Sequence, residues 1–541
     1  MESILEAIGR HLPMPPLRSH HQTEPSITFT HPRDSRIFAV GNAHGACAKC
    51  FERKVDILWS RVDGHDRTLS ASESVDAVEE AARHGVALAI TNASIGQNWS
   101  VIAPWPDCAE CRRTGAARRQ LLPEAQAGPT AGECHGDSCS GIPRSASPET
   151  FVAAHRGWFG FASVLLNPAL VHEQGICTAD SAIFLDEAET FAPVGGKGAT
   201  REQALASCLG EGIERFAVAG GFDEPDAPIV AIPAAGISRA AWGDARDFDG
   251  EPVPIGSRDL VDHVMLASLT GARPRPFPAS LVYAPYTPAA GRRSSTPSST
   301  TGAAVGASLV EATLQAVLEL IERDAFWFYA RTGRTISALD VDDHPLSLEL
   351  ARSTGARLRA GVLANPFNVP VVHVTLARPA GAGGSATARG MGAATTLGAA
   401  LRKAVIEAAQ MMRSLDTGRE VGPSITDMRS LWFSGAARPM FSSFFEPDPV
   451  HSVSWRSDSQ RISGEGDPAQ SLAEVLRRAS GAGVEFYRHT FVDAATFAAV
   501  RVIGDRILPL DDLYFPRLER FRDWADGNDE RATAYTGPLF M

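Results

Sequence analysis

Four polar side chains share one face of an otherwise apolar helical pattern. In EATLQAVLELIER, Glu311, Gln315, Glu319 and Glu322 recur at intervals of four, four and three residues. At about 100° per residue they fall within about 80° of arc. Leu314, Val317, Leu318, Leu320 and Ile321 fill most other positions, which is the pattern of a helix buried on most sides. Three carboxylates in one stripe of such a helix repel one another and lose hydration, so they call for compensating cations. A second segment, LASCLGEGIER, repeats the device with Ser207, Glu211, Glu214 and the adjacent Arg215. Both segments end in Glu-x-x-Glu-Arg: Glu211, Glu214, Arg215 and Glu319, Glu322, Arg323. Two such helices together offer a four-carboxylate cage with guanidinium groups beside it. Hard oxygen ligands in that number suit Mg²⁺, and arginine suits phosphate oxygens. The chemistry is that of a magnesium–polyphosphate site held by helices. Neither a P-loop nor a dinucleotide-binding glycine fingerprint is present. Upstream, Gly196-Lys197-Gly198 forms a tight entry to the first acidic helix, from which Lys197 can reach a phosphate or carboxylate.

Cysteines supply a second kind of chemistry. Six of the eight lie before residue 140 and none follows Cys208. Cys47-Ala-Lys-Cys50 and Cys108-Ala-Glu-Cys111 are two C-x-x-C pairs, each able to bite one side of a tetrahedral Zn²⁺ site. With all four thiolates used, that zinc is structural. Cys134 and Cys139, with His135, fall in a composition-biased stretch read as an inert loop, while Cys177 and Cys208 read as small buried hydrophobes. His373 reads as a satisfied strand histidine, and the Trp327-Phe328-Tyr329 run as core.

The elements that must position these groups follow from composition and pattern. At 541 residues the chain exceeds one ordinary domain. A hydrophobic share of 44% supports a real core, and 21% charged residues exclude a mostly disordered chain. A formal charge of −12 argues against nucleic acid as the main partner. No apolar run is long enough to span a bilayer, and the N-terminal residues lack a signal-peptide layout, so a cytoplasmic protein is expected. Residues 1–112 read as a small zinc-stapled α/β module and 113–150 as a flexible linker rich in Gly, Ala, Ser and Pro. Residues 151–541 read as a mixed α/β (α+β) domain. In it APIVAIPA and VPVVHVTLA alternate as strands with two long helical patterns, EATLQAVLELIERDAFWFYARTG and TLGAALRKAVIEAAQMMRSL. The stretches 284–302 and 377–390 read as long loops, and Ser294–Thr301 in the first as a solvated cover over the phosphate site.

Three ordered blocks carry a resemblance to a known family: GKGATREQALASCLGEGIER, TTGAAVGASLVEATLQAVLELIERDA and GMGAATTLGAALRKAVIEAAQ. In this order they resemble the YcaO proteins, ATP-dependent enzymes that activate peptide backbone amides. The resemblance covers roughly residues 155–520 and implies a YcaO-like ATP-binding domain. It implies that Glu211, Glu214, Glu319 and Glu322 hold Mg²⁺. It further implies that Lys197, Ser207, Glu311, Gln315 and Arg323 touch nucleotide, and that Lys403 and Glu407 flank the site with Arg323. The implied reaction is cyclodehydration of a ribosomally made precursor peptide. A Cys, Ser or Thr side chain adds to the preceding carbonyl, the oxyanion takes the terminal phosphoryl of ATP, and loss of phosphate leaves a thiazoline or oxazoline. Three positions depart from the family pattern: Ala307 for the usual Asn, Lys403 for the usual Arg, and an ending TAYTGPLFM with only Pro538 in place of a proline-rich tail. The ending leaves thioamide formation as an alternative product, and Ala307 with Lys403 leave a nucleotide-binding scaffold as an alternative role. The surroundings of the paired cysteines, GNAHGACAKCFERKV and IAPWPDCAEC, are similar to the zinc-bearing end of E1/ThiF-like proteins that accompany YcaO enzymes. That likeness implies a docking module and a separate leader-peptide-binding partner of E1/ThiF type; a homodimer is expected as well.

Overall fold

The computed structural model describes residues 27–31, 34–41, 50, 87–90, 99–101, 105–106, 108–114, 144–159, 163–166, 168–173, 175–184, 191–222, 229–233, 257–294, 298–381, 384–416, 442–464 and 466–507. Cys47, Cys134, His135, Cys139 and the ending with Pro538 lie outside them. In the front part, β1 (Ile27–His31), β2 (Asp34–Gly41), β3 (Ala87–Ile90) and β4 (Trp99–Val101) form an antiparallel sheet in chain order, followed by the short helix α1 (Ala109–Thr114).

The larger part begins with α2 (Pro148–Ala154) and three antiparallel strands, β5 (Ala169–Glu173), β6 (Ile176–Phe184) and β7 (Phe191–Gly198). The first acidic segment then forms α3 (Arg201–Val218). Its start is a reciprocal cap: Thr200 accepts from the Gln203 amide at 3.2 Å, and the Gln203 side chain accepts from the Ala199 amide at 2.9 Å. Next come β8 (Ile229–Pro233), β9 (Leu260–Ser268), β10 (Arg275–Pro278), β11 (Arg292–Arg293) and β12 (Ala303–Gly306). The second acidic segment is α4 (Leu309–Thr332), capped by Ser308 and closed by Gly333, whose left-handed φ of 62° favours glycine. Then follow β13 (Ser337–Asp340), α5 (Pro345–Thr354), β14 (Arg357–Val362), β15 (Val371–Gly381), β16 (Gly384–Ala393), α6 (Leu397–Asp416), α7 (Ser442–Phe445), β17 (Asp448–Ser454), α8 (Pro468–Gly481), β18 (Phe486–Asp493) and β19 (Ala498–Gly504).

Two sheets organise these elements. One runs β10-β9-β18-β19-β12, with β8 and β11 also on β9, and carries α3 and α4. The other runs β16-β15-β14-β13-β17 and carries α6. Each sheet has its own apolar cluster. Leu314, Val317, Leu318 and Ile321 lie wholly inside the first, and Leu401, Ala404 and Val405 inside the second. Trp327, Phe328 and Tyr329 are buried in the first, as the sequence predicts. His373 is 1% exposed between Phe326 and Phe444, where burial and then Arg389 hold its imidazole neutral. Cys177 and Cys208 are buried thiols pushed up by desolvation.

Two expectations need correction. The described residues of the Gly- and Ala-rich stretch 377–390 are not a loop but the end of β15 and most of β16, which pair from Val371↔Ala393 to Gly381↔Gly384. At the end of β16 glycine is required because α6 lies close: a Cβ on Gly390 would sit 2.1 Å from the Ala404 carbonyl oxygen, and one on Gly392, just past the stretch, 2.3 Å from that of Ala400. In the stretch 294–301 read as a solvated cover, Thr301 is instead buried at 4% exposure: its amide is held by Ser299, and it lies in the turn that leads into β12 two residues on. Among the described residues, no helix is long and apolar enough to cross a membrane.

Candidate functional site

α3 and α4 both pack on β12, and α6 reaches β7, so the three sequence blocks converge on one cavity of about 700 Å³. Lys197, Ser207, Glu211, Glu214, Glu311, Gln315, Glu319, Glu322, Arg323, Lys403 and Glu407 all line it. β7 can approach α3 because Gly196 lacks a side chain; a Cβ there would lie 1.9 Å from the Ala204 carbonyl oxygen. That approach lets the Gly195 amide donate to Glu211 at 3.0 Å.

The carboxylates are held individually. Glu211 pairs with Arg215 at 2.7 Å. Glu319 accepts from the Gly302 amide at 3.3 Å and Glu322 from the Ala393 amide at 2.8 Å. The Arg323 Nε lies 3.9 Å from both Glu319 and Glu322. Burial, Glu319 and Glu211 push the Glu214 carboxyl well above the carboxylate range. Burial likewise raises Glu319, against the pull of Arg323. Lys197 bonds Glu407 at 3.0 Å, and Lys403 donates to the Ala393 carbonyl at 3.0 Å. Burial pushes Glu407 up, but Lys197 and Arg323 outweigh it and hold the carboxyl below its usual value. Burial lowers the Lys403 ammonium, with Glu322 opposing.

Sequence reasoning missed the segment just ahead of α2. Arg144 lines the cavity and donates to Glu311 at 2.6 Å and to Gln315 at 3.5 Å, and the Ser145 amide donates to Glu311 at 2.9 Å. These residues fall in the stretch read as linker. The available signal was Ser147-Pro148-Glu149, a helix start whose Ser147 cap is formed here.

The cage fits a divalent cation bound with polyphosphate. Its carboxylates come from two helices, and one is forced toward its protonated form by like charge and burial, a state that a bound cation relieves. Arg144, Lys197, Arg215, Arg323 and Lys403 surround them with positive charge suited to phosphate oxygens.

Comparison with known proteins accords with this site. Residues 195–504, more than half of the chain, match the family described as YcaO cyclodehydratase, ATP- and Mg²⁺-binding. The chain belongs to the YcaO family. A YcaO relative by fold, the protein from Methanopyrus kandleri solved with AMPPCP and Mg²⁺, is 20% identical with a TM-score of 0.54, covering 69% of this chain and 94% of its own. A heterocyclase solved in complex with substrate and cofactor is 16% identical with a TM-score of 0.68, covering 92% of this chain and 74% of its own. The heterocyclase TruD is 18% identical with a TM-score of 0.54, covering 87% of this chain and 69% of its own. An uncharacterised protein of Methanothermobacter thermautotrophicus is 36% identical over 143 residues; the alignment takes in 26% of this chain and 34% of that protein. The YcaO domain accounts for all three blocks, and ATP with Mg²⁺ are the ligands that the family description names.

In front of the YcaO domain, Cys50, Cys108 and Cys111 are buried, with their sulfurs within 4.8 Å of one another. The Cys111 and Cys50 sulfurs are 3.6 Å apart, and the Trp105 amide donates to the Cys50 sulfur at 3.4 Å. Three converging thiols with an amide donor fit a soft, thiolate-loving cation.

Proposed function

We propose that this protein is an ATP-dependent cyclodehydratase acting on a ribosomally made precursor peptide, forming thiazoline or oxazoline rings. The observation that carries the reading is the convergence of both Glu-x-x-Glu-Arg helices on one cavity in a chain of the YcaO family. Glu211, Glu214, Glu319 and Glu322 would hold Mg²⁺, and Lys197, Ser207, Glu311, Gln315 and Arg323 would meet the nucleotide. Arg144 joins that group through its contact with Glu311. When bound, Mg·ATP supplies the phosphoryl group that turns an amide oxygen into a leaving group. The residues of this chain position and neutralise: fixed guanidinium and ammonium groups face developing negative charge without reorganising. The Lys197–Glu407 pair and Lys403, held to the Ala393 carbonyl, keep the third block against β7 and β16.

The front module in this reading is a zinc-stapled docking piece, with Cys47 completing the set begun by Cys50, Cys108 and Cys111. Recognition of the peptide's leader then falls to a separate E1/ThiF-like partner. The deciding experiment incubates precursor peptide, leader-binding partner and ATP with the wild type or Glu322→Ala and reads product mass. Loss of one water per modified residue, abolished by the substitution, is expected. Exchange of oxygen for sulfur would assign thioamide formation instead, and an unchanged mass with ATP still bound would leave a scaffold.

A further inference from the structure

A second, smaller cavity of about 30 Å³ adjoins the first. It forms where β5 and β6, β15 and the C-terminal half of α6 meet. The strand register explains its place. Val171, Thr178 and Lys197 stand opposite one another across β5, β6 and β7, and opposed residues of antiparallel strands share a face. Lys197 on that row lines the large cavity, while Val171 and Thr178 line the small one. α6 packs on β6, β7 and β15, and its Gln410 lines both cavities.

Three features of the small cavity bear on what it holds. The first is a hydroxyl. Thr178 is 3% exposed, and among the described residues its hydroxyl has no hydrogen-bond partner. Valine has the same shape, so packing alone does not call for threonine here; a buried hydroxyl is costly unless an acceptor meets it. The second is charge. Arg378 of β15 and Arg413 of α6 both line the cavity. The ion pair of Arg413 with Asp180 is 3.7 Å long, beyond hydrogen-bond reach. Among the described lining residues Glu173 is the one carboxylate, and it is exposed. The third is size. A space of this volume takes two or three water-sized groups, enough for one carboxylate and too little for the four oxygens of a phosphate. Ile176, Leu376 and Met412 complete the wall with apolar surface, which suits the carbon that bears a carboxylate.

We propose that this cavity is a carboxylate-binding subsite beside the nucleotide cavity, with Arg378, Arg413 and the Thr178 hydroxyl as its donors. The ligand is a carboxylate on a peptide, at its chain end or on an acidic side chain, or a small free acid. None of the residues assigned to metal or nucleotide belongs to it, so it stands apart from the reaction proposed above.

The test is saturation-transfer NMR on the full-length protein at fixed ionic strength, with sodium acetate as probe and acetamide as its neutral match. Acetate should receive saturation and acetamide should not. Thr178→Val and Arg413→Gln should each weaken acetate by about tenfold, the effect of one hydrogen bond to a charged group. Glu173→Gln should tighten it. Thr178→Val should melt at or above the wild-type temperature, because the hydroxyl it removes has no partner. Should Arg413→Gln fail to fold, Thr178→Val, which removes no charge, decides. Displacement of acetate by triglycine but not by its C-terminal amide assigns a peptide carboxylate; displacement by neither assigns a small free acid. No saturation of acetate by the wild type, as for a cavity holding water only, would overturn the proposal. So would acetamide binding as well as acetate, acetate affinity unchanged in Thr178→Val, or inorganic phosphate displacing acetate at lower concentration than acetate itself binds.

Discussion

Replacing Glu214 by Gln should stabilise the metal-free protein while weakening its hold on Mg·nucleotide. Gln keeps the shape and removes a charge that burial, Glu319 and Glu211 all disfavour. Arg215 cannot relieve it fully, because that guanidinium is engaged by Glu211 at 2.7 Å. At an effective dielectric of about 20, like charges across a cation-sized gap of roughly 6–8 Å repel by about 2–3 kcal/mol. The substitution removes two such contacts and also the attraction to Arg215 and Arg501, leaving about 1–3 kcal/mol of net stabilisation. The folded-state pKa of Glu214 is raised, so its contribution favours folding at low pH and is lost as pH rises through the folded value. The gain from Glu214→Gln should therefore appear at neutral pH and fade as pH falls below the ordinary carboxylate value. Binding should move the other way: loss of a carboxylate from a Mg²⁺ cage should weaken Mg·nucleotide by at least about tenfold. Melting curves with and without Mg²⁺ and ATP, alongside titration calorimetry, read both quantities. A variant that melts lower than wild type without metal, or binds Mg·nucleotide at wild-type affinity, would refute the reasoning.

Four further outcomes follow from other parts of the molecule. Gly196→Ala sets a methyl 1.9 Å from the Ala204 carbonyl oxygen and 2.4 Å from the Cys208 amide, so β7 and α3 must separate; a loss of about 1–3 kcal/mol in denaturant unfolding and weakened nucleotide binding are expected. Arg144→Ala leaves Glu311, whose side chain is 2% exposed, without its cation; about 3–5 kcal/mol of stability should go, and the KM for ATP should rise. Glu474 is held down to about 2 by hydrogen bonds from Arg477 and Arg478, so the stability it adds is present above the ordinary carboxylate value and lost as pH falls toward 2. Melting curves of Glu474→Gln and wild type should accordingly differ at neutral pH and converge in acid. Cys108→Ser with Cys111→Ser should abolish bound zinc in elemental analysis of the purified protein.

The site was legible in the sequence wherever helical period carried it. Glu211, Glu214, Glu311, Gln315, Glu319 and Glu322 are helix residues, and a fixed angular step per residue tells which share a face. That they line one cavity is now seen. Positions set by non-local strand pairing were not legible. Arg501 reads in sequence as one polar residue in AAVRVIG, and its place opposite the cavity-lining Ala303 comes from the β19–β12 pairing. Arg144 lay hidden for a different reason. Its neighbours are small, polar and turn-forming, and its ordering comes from Glu311, which follows it by 167 residues.

The 377–390 stretch shows the same limit from the opposite side. Glycine and alanine lower intrinsic strand preference, so composition argues for a loop. In the fold Gly390 and the following Gly392 lie against α6, close enough for Lys403 to reach the Ala393 carbonyl and for Glu407 to reach Lys197. The same Ala393 gives its amide to Glu322, so one peptide unit at the end of β16 ties the second acidic helix to the third block. Small residues on that hairpin are thus a condition for the charged ones to meet. A side chain at Gly390 would press on Glu407 and one at Gly392 on Lys403, so either would disturb the site from the sheet side.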